Sequence, residues 1–484
     1  MNIAIIGAGA TGLTAGHRLA AAGHRVDVYD GRTTVGGLTG TVPIGGTQIE
    51  RIYHHVFTSD RHVLDLLEAL QLDKSMRWHT PKSGIYLQNR LHPFSGPLDL
   101  LRFGALPFRQ RISMGLLVLR ARFIRNWRPL EHVRARDWLV RHAGKTVYDR
   151  IWGPLIRSKF DRDADDISAV WIWNKFKLRG STRGKDVSSE SFGYLDGSFG
   201  QLYESLAERI RRHGGAIRLG ERVEEIVPDA GGGQISVMAN GVTKRYDRVL
   251  MTGSPEQLLE LAGDALMRQS ADAEAPASAP ATASAYASAS ASASASASAS
   301  APASAPASAS ASAPASASAY AAACARMRYK ANLCAMLELD VSLSPYYWVT
   351  VADEGIPFVL VIEHTRLVPA SAYGTHVVYL SRYLDASDPL FTATDEEVKD
   401  RFLEGLRTVF PAFSRTSVRR FHLVRERDAQ PVVGLRHGER IPAMQTPVPG
   451  LYLASMAQIY PEDRGQNYAI RMGEEAARLI LDSM

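Results

Sequence analysis

The chain has 484 residues, of which 45% are hydrophobic, with a net charge of +6 and a pI of about 9.2. This length allows two or three domains, and the composition is that of a folded globular protein. The basic residues are spread without a nucleic-acid-binding motif, so we expect no nucleic acid partner. The two cysteines, Cys324 and Cys334, give neither a disulfide framework nor a metal-ligand cluster, and we predict no metal.

The chain carries no pattern for insertion into a membrane. It contains no apolar run of eighteen residues, so we expect no membrane span. It begins with Met and Asn and passes at once into a short apolar run, which is not the pattern of a cleavable signal peptide. A cytoplasmic location is therefore the default expectation.

The first thirty residues predict a strand, a glycine turn, a helix and a second strand. The apolar run 2–6 is typical of a buried parallel strand. Gly23 ends the helical pattern, and the second strand ends at Asp30. The turn between the first strand and the helix consists of Gly7, Ala8, Gly9, Ala10, Thr11 and Gly12.

Each part of this pattern suits a bound dinucleotide. Gly7 permits a tight turn, Gly9 lets a pyrophosphate approach the backbone, and Gly12 lets the helix pack close to the strand. The N-terminus of the helix, at Ala10 and Thr11, offers free N–H groups to phosphates. Asp30 is placed to accept hydrogen bonds from ribose hydroxyls. Strand, spacing, helix and acid agree, so we predict dinucleotide binding.

A second glycine pair follows the acid. In the order Asp30, Gly31, Arg32 and then Gly-Gly-Leu-Thr at 36–39, the sequence resembles the flavin-containing amine oxidase superfamily, which includes protoporphyrinogen oxidases, phytoene desaturases and monoamine oxidases. The resemblance implies FAD as the cofactor, bound noncovalently because no tethering cysteine is recognisable. It implies that the following residues contact FAD: Gly31, Arg32, Gly36, Gly37, Leu38 and Thr39.

The rest of the FAD-binding fold is predicted in separate parts of the chain. A helix over 200–214, a strand over 248–252, a strand over 451–454 and a final helix from Gln466 match the family in layout. The N-terminus of that final helix would stabilise negative charge on reduced flavin. The resemblance further implies FAD contacts for Val223, Asp463, Gly465, Gln466 and Asn467.

We therefore predict an α/β fold, with a Rossmann-like FAD-binding domain that is split along the chain and an inserted α+β substrate domain. The predicted FAD-binding parts are residues 1–75, 196–265 and 436–484. The predicted substrate parts are residues 76–195, mostly helical, and residues 324–435, a sheet with a helix.

Residues 270–323 are almost entirely Ala, Ser and Pro. Apart from Tyr286 and Tyr320 they lack large apolar side chains, so burial cannot offset the entropy lost on ordering them. We predict a disordered insertion that carries no chemistry.

Three residues are candidates for catalysis: His54, His55 and Arg436. The two histidines follow the Gly-Gly turn in a stretch that passes near the flavin ring in related enzymes. Adjacent residues of an extended chain point to opposite faces, so at most one histidine faces the site. Either one can bind an anionic group or move a proton, and each also has a purely structural interpretation. Arg436 precedes the final FAD-binding strand. We identify no catalytic base.

Aromatic and cationic residues lie together in 152–183. Such a mixture suits a phosphorylated or carboxylated substrate with an apolar or cyclic body. The alternative is a set of core aromatics with solvated charges. The residues are Trp152, Arg157, Lys159, Phe160, Trp171, Trp173, Lys175, Phe176, Lys177, Arg179 and Arg183.

A helix is predicted over 108–127, flanked by arginines. Its apolar residues are Ile112, Leu116, Leu117, Leu119 and Phe123. This helix can lie on a membrane surface, which predicts a peripheral contact with the inner membrane. It can also pack in the core.

The leading interpretation is an FAD-dependent oxidoreductase in which flavin N5 accepts hydride from an unknown small-molecule substrate, with reoxidation by oxygen or a quinone. Many amine oxidases hold a lysine beside N5, but Asn332 or Leu333 occupies that position and Lys330 is out of register, which argues against simple amine oxidation. The alternative is a redox-neutral enzyme that resembles UDP-galactopyranose mutase and acts on a nucleotide sugar. A non-catalytic flavin protein and an NAD-dependent dehydrogenase are further alternatives.

Overall fold

The computed structural model describes residues 1–181, 191–229, 233–273 and 316–484. Within these residues the strands are β1 (Asn2–Ile6), β2 (Arg25–Asp30), β3 (Thr41–Ile44), β4 (Thr47–Glu50), β5 (Val56–Phe57), β6 (Met76–His79), β7 (Ser83–Leu87), β8 (Arg90–Pro93), β9 (Phe192–Leu195), β10 (Ala216–Leu219), β11 (Val223–Pro228), β12 (Ile235–Ala239), β13 (Val242–Tyr246), β14 (Arg248–Met251), β15 (Tyr329–Leu339), β16 (Trp348–Val351), β17 (Leu360–Glu363), β18 (His376–Leu384), β19 (Val418–Pro431) and β20 (Leu451–Leu453). The helices are α1 (Ala10–Ala21), α2 (Arg61–Ala69), α3 (Pro97–Arg102), α4 (Phe108–Phe123), α5 (Ala135–Ala143), α6 (Lys145–Val147), α7 (Gly153–Phe160), α8 (Ala169–Ser181), α9 (Gly200–Arg212), α10 (Pro255–Ala273), α11 (Ala317–Ala325), α12 (Pro389–Thr392), α13 (Asp395–Val409) and α14 (Gln466–Asp482).

A five-stranded parallel sheet has the strand order β10-β2-β1-β14-β20. Strands β1 and β14 in its centre are largely apolar, as expected where elements cover both faces of a sheet. One face packs against α1, α9 and α14, and the other against α10, α11 and the antiparallel ribbon β11-β12-β13. Strands from widely separated parts of the chain thus meet in one doubly covered sheet. The predicted α/β fold class is confirmed.

A seven-stranded sheet has the order β19-β15-β18-β17-β16-β7-β8 and is antiparallel except for the β16–β7 pair. Alternate residues of β15 point to opposite faces. Leu333 and Leu337 pack with α13 on one face. Cys334 and Met336 face the core that also contains the parallel sheet. The candidate site lies on this second side, between the two sheets.

Helices α3 to α8 form a separate core with the end of β19. The aromatic residues Trp138, Phe160 and Trp173 are buried in it. Residues 76–195 also contain strands β6 to β9, which the mostly helical prediction missed. Strands β7 and β8 join the large sheet by pairing with β16, far away in the chain.

Helices enter both ends of the predicted insertion 270–323. Helix α10 continues to Ala273, and α11 occupies residues 317–325. Ser316 caps α11 by accepting a hydrogen bond from Ala319 N, and Tyr320 is buried and donates to Ala443 O at 2.9 Å. Tyr320 and Cys324 of α11 are buried against the sheet and dock this short helix. Residues 274–315, including Tyr286, lie outside the described residues.

In the described part of the chain, no helix combines the length and the apolar character needed to cross a membrane.

Candidate active site

The first glycine turn leaves an open space in front of α1. Gly7 has φ +114°, and a Cβ there would lie 2.3 Å from Thr252 Oγ1. A Cβ on Gly12 would lie 2.0 Å from Gly7 O. Gly7 and Gly12 are therefore required by backbone geometry and packing. A Cβ on Gly9, in contrast, would meet only Gly37 Cα, at 3.8 Å.

This space is bordered by unpaired helix N–H groups. Helix α1 begins at Ala10, followed by Thr11, and no side chain caps its N-terminus. The first N–H groups of a helix have no partner within it, and they carry the positive end of the helix dipole. The geometry suits a pyrophosphate at Gly9.

Asp30 joins two turns through its carboxylate. Its two oxygens accept hydrogen bonds from Ala8 N at 2.9 Å and Arg32 N at 2.8 Å. An ionised carboxylate has about four acceptor positions, so Asp30 can also accept from a ribose. Gly31 lies beside Arg222, just before Val223 at the start of β11.

The Arg32 side chain bridges two parts of the fold. Its Nη2 donates to both carboxylate oxygens of Glu426 on β19, at 2.9 and 2.7 Å. This ion pair links the parallel sheet to the large sheet. The predicted role of Arg32 beside adenosine stays a prediction.

The second glycine turn packs against the first. Gly36 and Gly37 have φ of +100° and +58°, which favours glycine at both positions. Gly36 N donates to Ala8 O at 2.8 Å. Arg51, which our sequence reasoning missed, donates to Gly37 O at 3.1 Å. Arg51 is thus a positioning residue for the turn, and only its place directly after β4 could have indicated it.

The first residue of α14, Gln466, has a buried side-chain amide whose N–H donor has no partner among the described residues. Gln466 Oε1 accepts from Tyr203 OH at 2.8 Å, while Gln466 Nε2 is buried without a hydrogen-bond partner among the described residues. Tyr203 is also in contact with Thr39, next to the partly exposed Leu38. A buried unpaired donor is costly unless a ligand pairs with it. Together with the open space at Gly9, this donor fits a bound FAD.

Two neighbours of Gln466 have different surroundings. No atom lies within 4 Å of a Cβ placed on Gly465, so the backbone there is open to a ligand. Asn467 Oδ1 accepts from Val63 N at 3.2 Å and so fixes α14 to α2. The FAD contact predicted for Asn467 stays a prediction.

Asp463 does not lie free before α14 but holds a group of cations. Its carboxylate lies 2.6 Å from Lys175 Nζ and 3.7 Å from Lys159 Nζ, and it accepts from Gln430 Nε2 at 3.2 Å. Burial alone would raise the pKa of Asp463, but Lys159, Lys175 and Arg464 outweigh it and hold this pKa far below its usual range. Asp463 is therefore ionised.

Aromatic rings surround these cations. Lys159 Nζ lies 5.1 Å from the ring centres of both Trp171 and Tyr383. Arg464 donates to Tyr383 OH at 2.7 Å. Burial lowers the pKa of Lys159 to about 8, although Asp463 opposes the shift. We call the following residues the cation–aromatic cluster: Lys159, Trp171, Lys175, Tyr383, Asp463 and Arg464.

Comparison with known proteins adds an independent observation. The family model described as flavin containing amine oxidoreductase matches residues 10–286 and 351–481, which is most of the chain. The chain belongs to this family. The predicted superfamily, the FAD cofactor and the class of FAD-dependent oxidoreductase are confirmed at the level of the family.

Individual relatives are distant. A probable zeta-carotene desaturase of Synechococcus elongatus is 26% identical over 297 residues, which cover 56% of this chain and 57% of the relative. The chain spans about half the length of the curated relatives it matches. A putative protoporphyrinogen oxidase from Exiguobacterium sp. 255-15 has a TM-score of 0.71 at 18% identity, with 99% of each chain covered. A reduced UDP-galactopyranose mutase has a TM-score of 0.69 at 15% identity, with 99% of this chain and 95% of that chain covered. These two structures show the fold alone.

Membership in this flavin family gives the cysteines a specific interest, because a thiolate could tether FAD. Burial raises the pKa of both Cys324 and Cys334 to about 12. The thiols are therefore protonated and poor nucleophiles. This agrees with noncovalent FAD.

Lys330 is held by two carboxylates. Its Nζ is fully buried between Asp163 and Asp385, at 2.8 and 2.6 Å. Asn332, two residues further on β15, donates to Ser381 Oγ at 2.9 Å. The two ion pairs offset the cost of burying the Lys330 ammonium group.

The side chains of His54 and His55 have different surroundings, as expected for adjacent residues of an extended chain. Burial lowers the pKa of His54 to about 4, and the nearby charge of Arg464 adds to this. His54 Nδ1 lies 2.6 Å from Ile52 O. His55 instead packs edge-on against Phe192 and lies 3.0 Å from Tyr347 OH. Of the two, His54 is the one next to the cation–aromatic cluster.

Arg436 is not part of this group. Its side chain is exposed and forms an ion pair with Glu439 on the surface. These contacts place Arg436 outside the cation–aromatic cluster and give its assignment as a catalytic candidate no support. A basic residue close in sequence to an FAD-binding strand need not point toward FAD.

The predicted aromatic and cationic segment divides between the site and the core. Trp171, Lys159 and Lys175 join the cluster. Trp173 is buried away from it and donates to Ala121 O at 2.9 Å, with Lys177 over its ring. Arg183 lies outside the described residues, as does the side chain of Arg179.

The segment that carries Arg51 and His54 is anchored by a buried acid. Glu50 is 1% exposed and accepts from Tyr194 OH at 2.7 Å and Phe199 N at 2.6 Å. Burial raises the pKa of Glu50 to about 7, and these hydrogen bonds only partly oppose it.

Glu50 is expected to make stability fall as pH rises from weakly acid to neutral. In the unfolded chain it ionises near pH 4.5, but in the folded protein only near pH 7. The contribution of protonated Glu50 to the free energy of unfolding is therefore complete below pH 4.5. It is lost progressively as the pH rises from 4.5 to 7, and the total loss is about 3 kcal/mol. Glu50→Gln removes this dependence, which urea unfolding from pH 4.5 to 8 measures. The control is the exposed Glu225→Gln; an equal pH profile for both variants contradicts the assignment.

Proposed function

We propose that this chain is an FAD-dependent oxidoreductase that takes hydride from a C–H or C–N–H donor in an anionic substrate with an apolar or cyclic body. The observation that carries this proposal is the cation–aromatic cluster, which reaches Asp463 and Arg464 directly before α14. When bound, FAD supplies the hydride acceptor, and oxygen or a quinone reoxidises it.

The cluster has the charge and shape for such a substrate. The cluster as defined contains three cations, Lys159, Lys175 and Arg464, and one carboxylate, Asp463, so its own residues carry a net positive charge. Cations in a partly buried site form strong hydrogen bonds to carboxylate or phosphate oxygens. The rings of Trp171 and Tyr383 offer apolar surface beside them.

His54 can orient the substrate in this reaction as a neutral hydrogen-bond acceptor. The carbonyl of Ile52 only accepts, so Nδ1 of His54 carries the proton and Nε2 is an acceptor. With its pKa lowered to about 4, His54 is neutral at physiological pH. We assign Nε2 to accept a hydrogen bond from the substrate, because burial and Arg464 both disfavour the positive charge that full proton transfer to His54 would create.

The redox-neutral alternative rests on the same cations, because a diphosphate of a nucleotide sugar also fits them. The likeness to UDP-galactopyranose mutase is one of fold. The two functions differ in the required state of the flavin: oxidised for hydride abstraction, reduced for the mutase.

Anaerobic mixing with a panel of carboxylated and phosphorylated amphiphiles should bleach the flavin absorbance for at least one member. Lys159→Met should slow this reduction roughly ten- to hundredfold by loss of a charged hydrogen bond. The exposed Lys74→Met should not change it. Bleaching by no member, together with conversion of a nucleotide sugar only by dithionite-reduced protein, contradicts the oxidoreductase and supports the mutase.

The predicted peripheral membrane contact belongs to the same proposal. It is supported by apolar side chains of α4 that no part of the described chain covers.

A further inference from the structure

Helix α4 has apolar residues on two opposite faces. Met114, Leu117 and Ala121 are buried against the helical core. On the opposite face a row of large apolar side chains is 40–74% exposed. We call this row the α4 stripe; it consists of Phe108, Ile112, Leu116, Leu119 and Phe123. Core packing accounts for the first face and leaves the second unexplained.

Helix α3 extends the stripe sideways. Leu100 packs 3.9 Å from a Cβ placed on Gly115 of α4, so the two helices lie side by side. Leu98 and Leu101 on α3 are 65% and 43% exposed. Contiguous exposed apolar surface of this kind marks an interaction site.

Arginines line both long edges of the stripe. With about 3.6 residues per turn, Arg109 and Arg120 follow one edge, and Arg111 and Arg122 follow the other. Residues 97–128 contain seven arginines and a single acid, Asp99. Asp99 is used at the start of α3, where it accepts from Ser95 N at 2.8 Å. The surface is therefore apolar in its centre and cationic at its borders.

We infer, as a deepening of the proposed membrane contact, that the α4 stripe lies in the headgroup region of a membrane that contains anionic lipid. Apolar side chains enter the acyl boundary while flanking arginines bind lipid phosphates at the surface. Long basic side chains suit these edges because they keep the charge in the polar layer.

A second copy of this chain fits the stripe less well. A two-fold interface places the same patch on both subunits. The arginine edges of two copies would then meet with no acid of this surface to pair with them. Anionic lipid provides the complementary charge that a second copy lacks.

Helix α4, which carries the stripe, packs against α8, which carries residues of the candidate active site. Trp173 of α8 donates to Ala121 O of α4, and α8 also carries Trp171 and Lys175. A substrate with an anionic group and an apolar body itself partitions to the membrane interface. The same type of surface, apolar with a cationic border, therefore suits both the membrane and the proposed substrate.

The inference is tested by flotation of the FAD-loaded protein with vesicles. Vesicles of phosphatidylcholine are compared with vesicles that also contain phosphatidylglycerol. Wild type is expected to float with the mixed vesicles. The double variant L116S/F123S should lower the bound fraction at least about tenfold, and R109Q/R122Q should remove the preference for phosphatidylglycerol. These side chains are exposed, so both variants should keep fold and flavin.

Matched controls change exposed residues elsewhere. V242S/V341S removes two apolar side chains, and R326Q/R407Q removes two charges; both should bind as wild type. Failure of wild type to bind mixed vesicles, or equal binding by L116S/F123S, overturns the inference. A wild-type dimer that L116S/F123S converts to a monomer identifies a second copy as the occupant and also overturns it. Vesicle binding needs no turnover, so this result is separate from the test of the oxidoreductase.

Discussion

Gly9→Leu is expected to give a folded but colourless protein. A Cβ at Gly9 meets nothing closer than Gly37 Cα at 3.8 Å, so the chain itself has room for a side chain. That room is where we place the pyrophosphate, against the N-terminus of α1. Flavin bound per chain should fall at least about tenfold, as measured by absorbance after desalting, while circular dichroism stays unchanged.

Two comparisons make this prediction specific. Gly263→Leu changes a glycine of α10 that also has no atom within 4 Å of its Cβ, and it should keep flavin. Gly12→Ala should instead lose the fold, because its Cβ would lie 2.0 Å from Gly7 O. A yellow Gly9→Leu protein would refute the position of the pyrophosphate.

Asp463→Asn is expected to destabilise the protein by about 3 kcal/mol, since it removes the partner of buried cations. Lys159, Lys175 and Arg464 share this carboxylate. The residue stands three positions before α14, so flavin retention should fall as well. Urea unfolding and flavin content measure the two effects.

The neighbouring surface pair provides a control for Asp463. Glu439→Gln breaks an exposed ion pair with Arg436, and we expect little measurable change. Lys175→Met in the Asp463→Asn background should cost less than the two single changes added together, because the charge left behind is also removed. Additive effects in this cycle would contradict a shared buried network.

Local patterns predicted most of the parallel sheet. The ribbon of β12 and β13 also has a local signal, because its turn is Asn240-Gly241, and these residues have φ of +47° and +71° as a tight hairpin turn requires. Strands β7 and β16 were missed because their pairing joins Ser83 to Trp348. Such long-range pairing leaves no periodic signal in either segment. The burial of Tyr320 was also missed, because the prediction for residues 270–323 rested on their average composition and not on single side chains.

The residues of the candidate site likewise fall into those that local sequence patterns located and those that they did not. The glycine positions follow from a motif in which every residue is near the next, so spacing alone located them. The cation–aromatic cluster draws residues from α7, α8, β18 and the approach to α14. Residue type singled out Lys159 and Lys175 but equally suggested Arg436, which lies on the surface. Arg51 and Gln430 act through backbone and amide contacts that no motif signals.

The split parallel sheet has a consequence for biogenesis. Strand β1 opens the sheet, but β20 and α14, which complete the cofactor site, are synthesised after every inserted segment. A ribosome-bound nascent chain therefore presents the first glycine turn without its opposing helix. We therefore expect flavin loading only after α14 has left the exit tunnel, and until then the edge of β14 that pairs with β20 stays exposed.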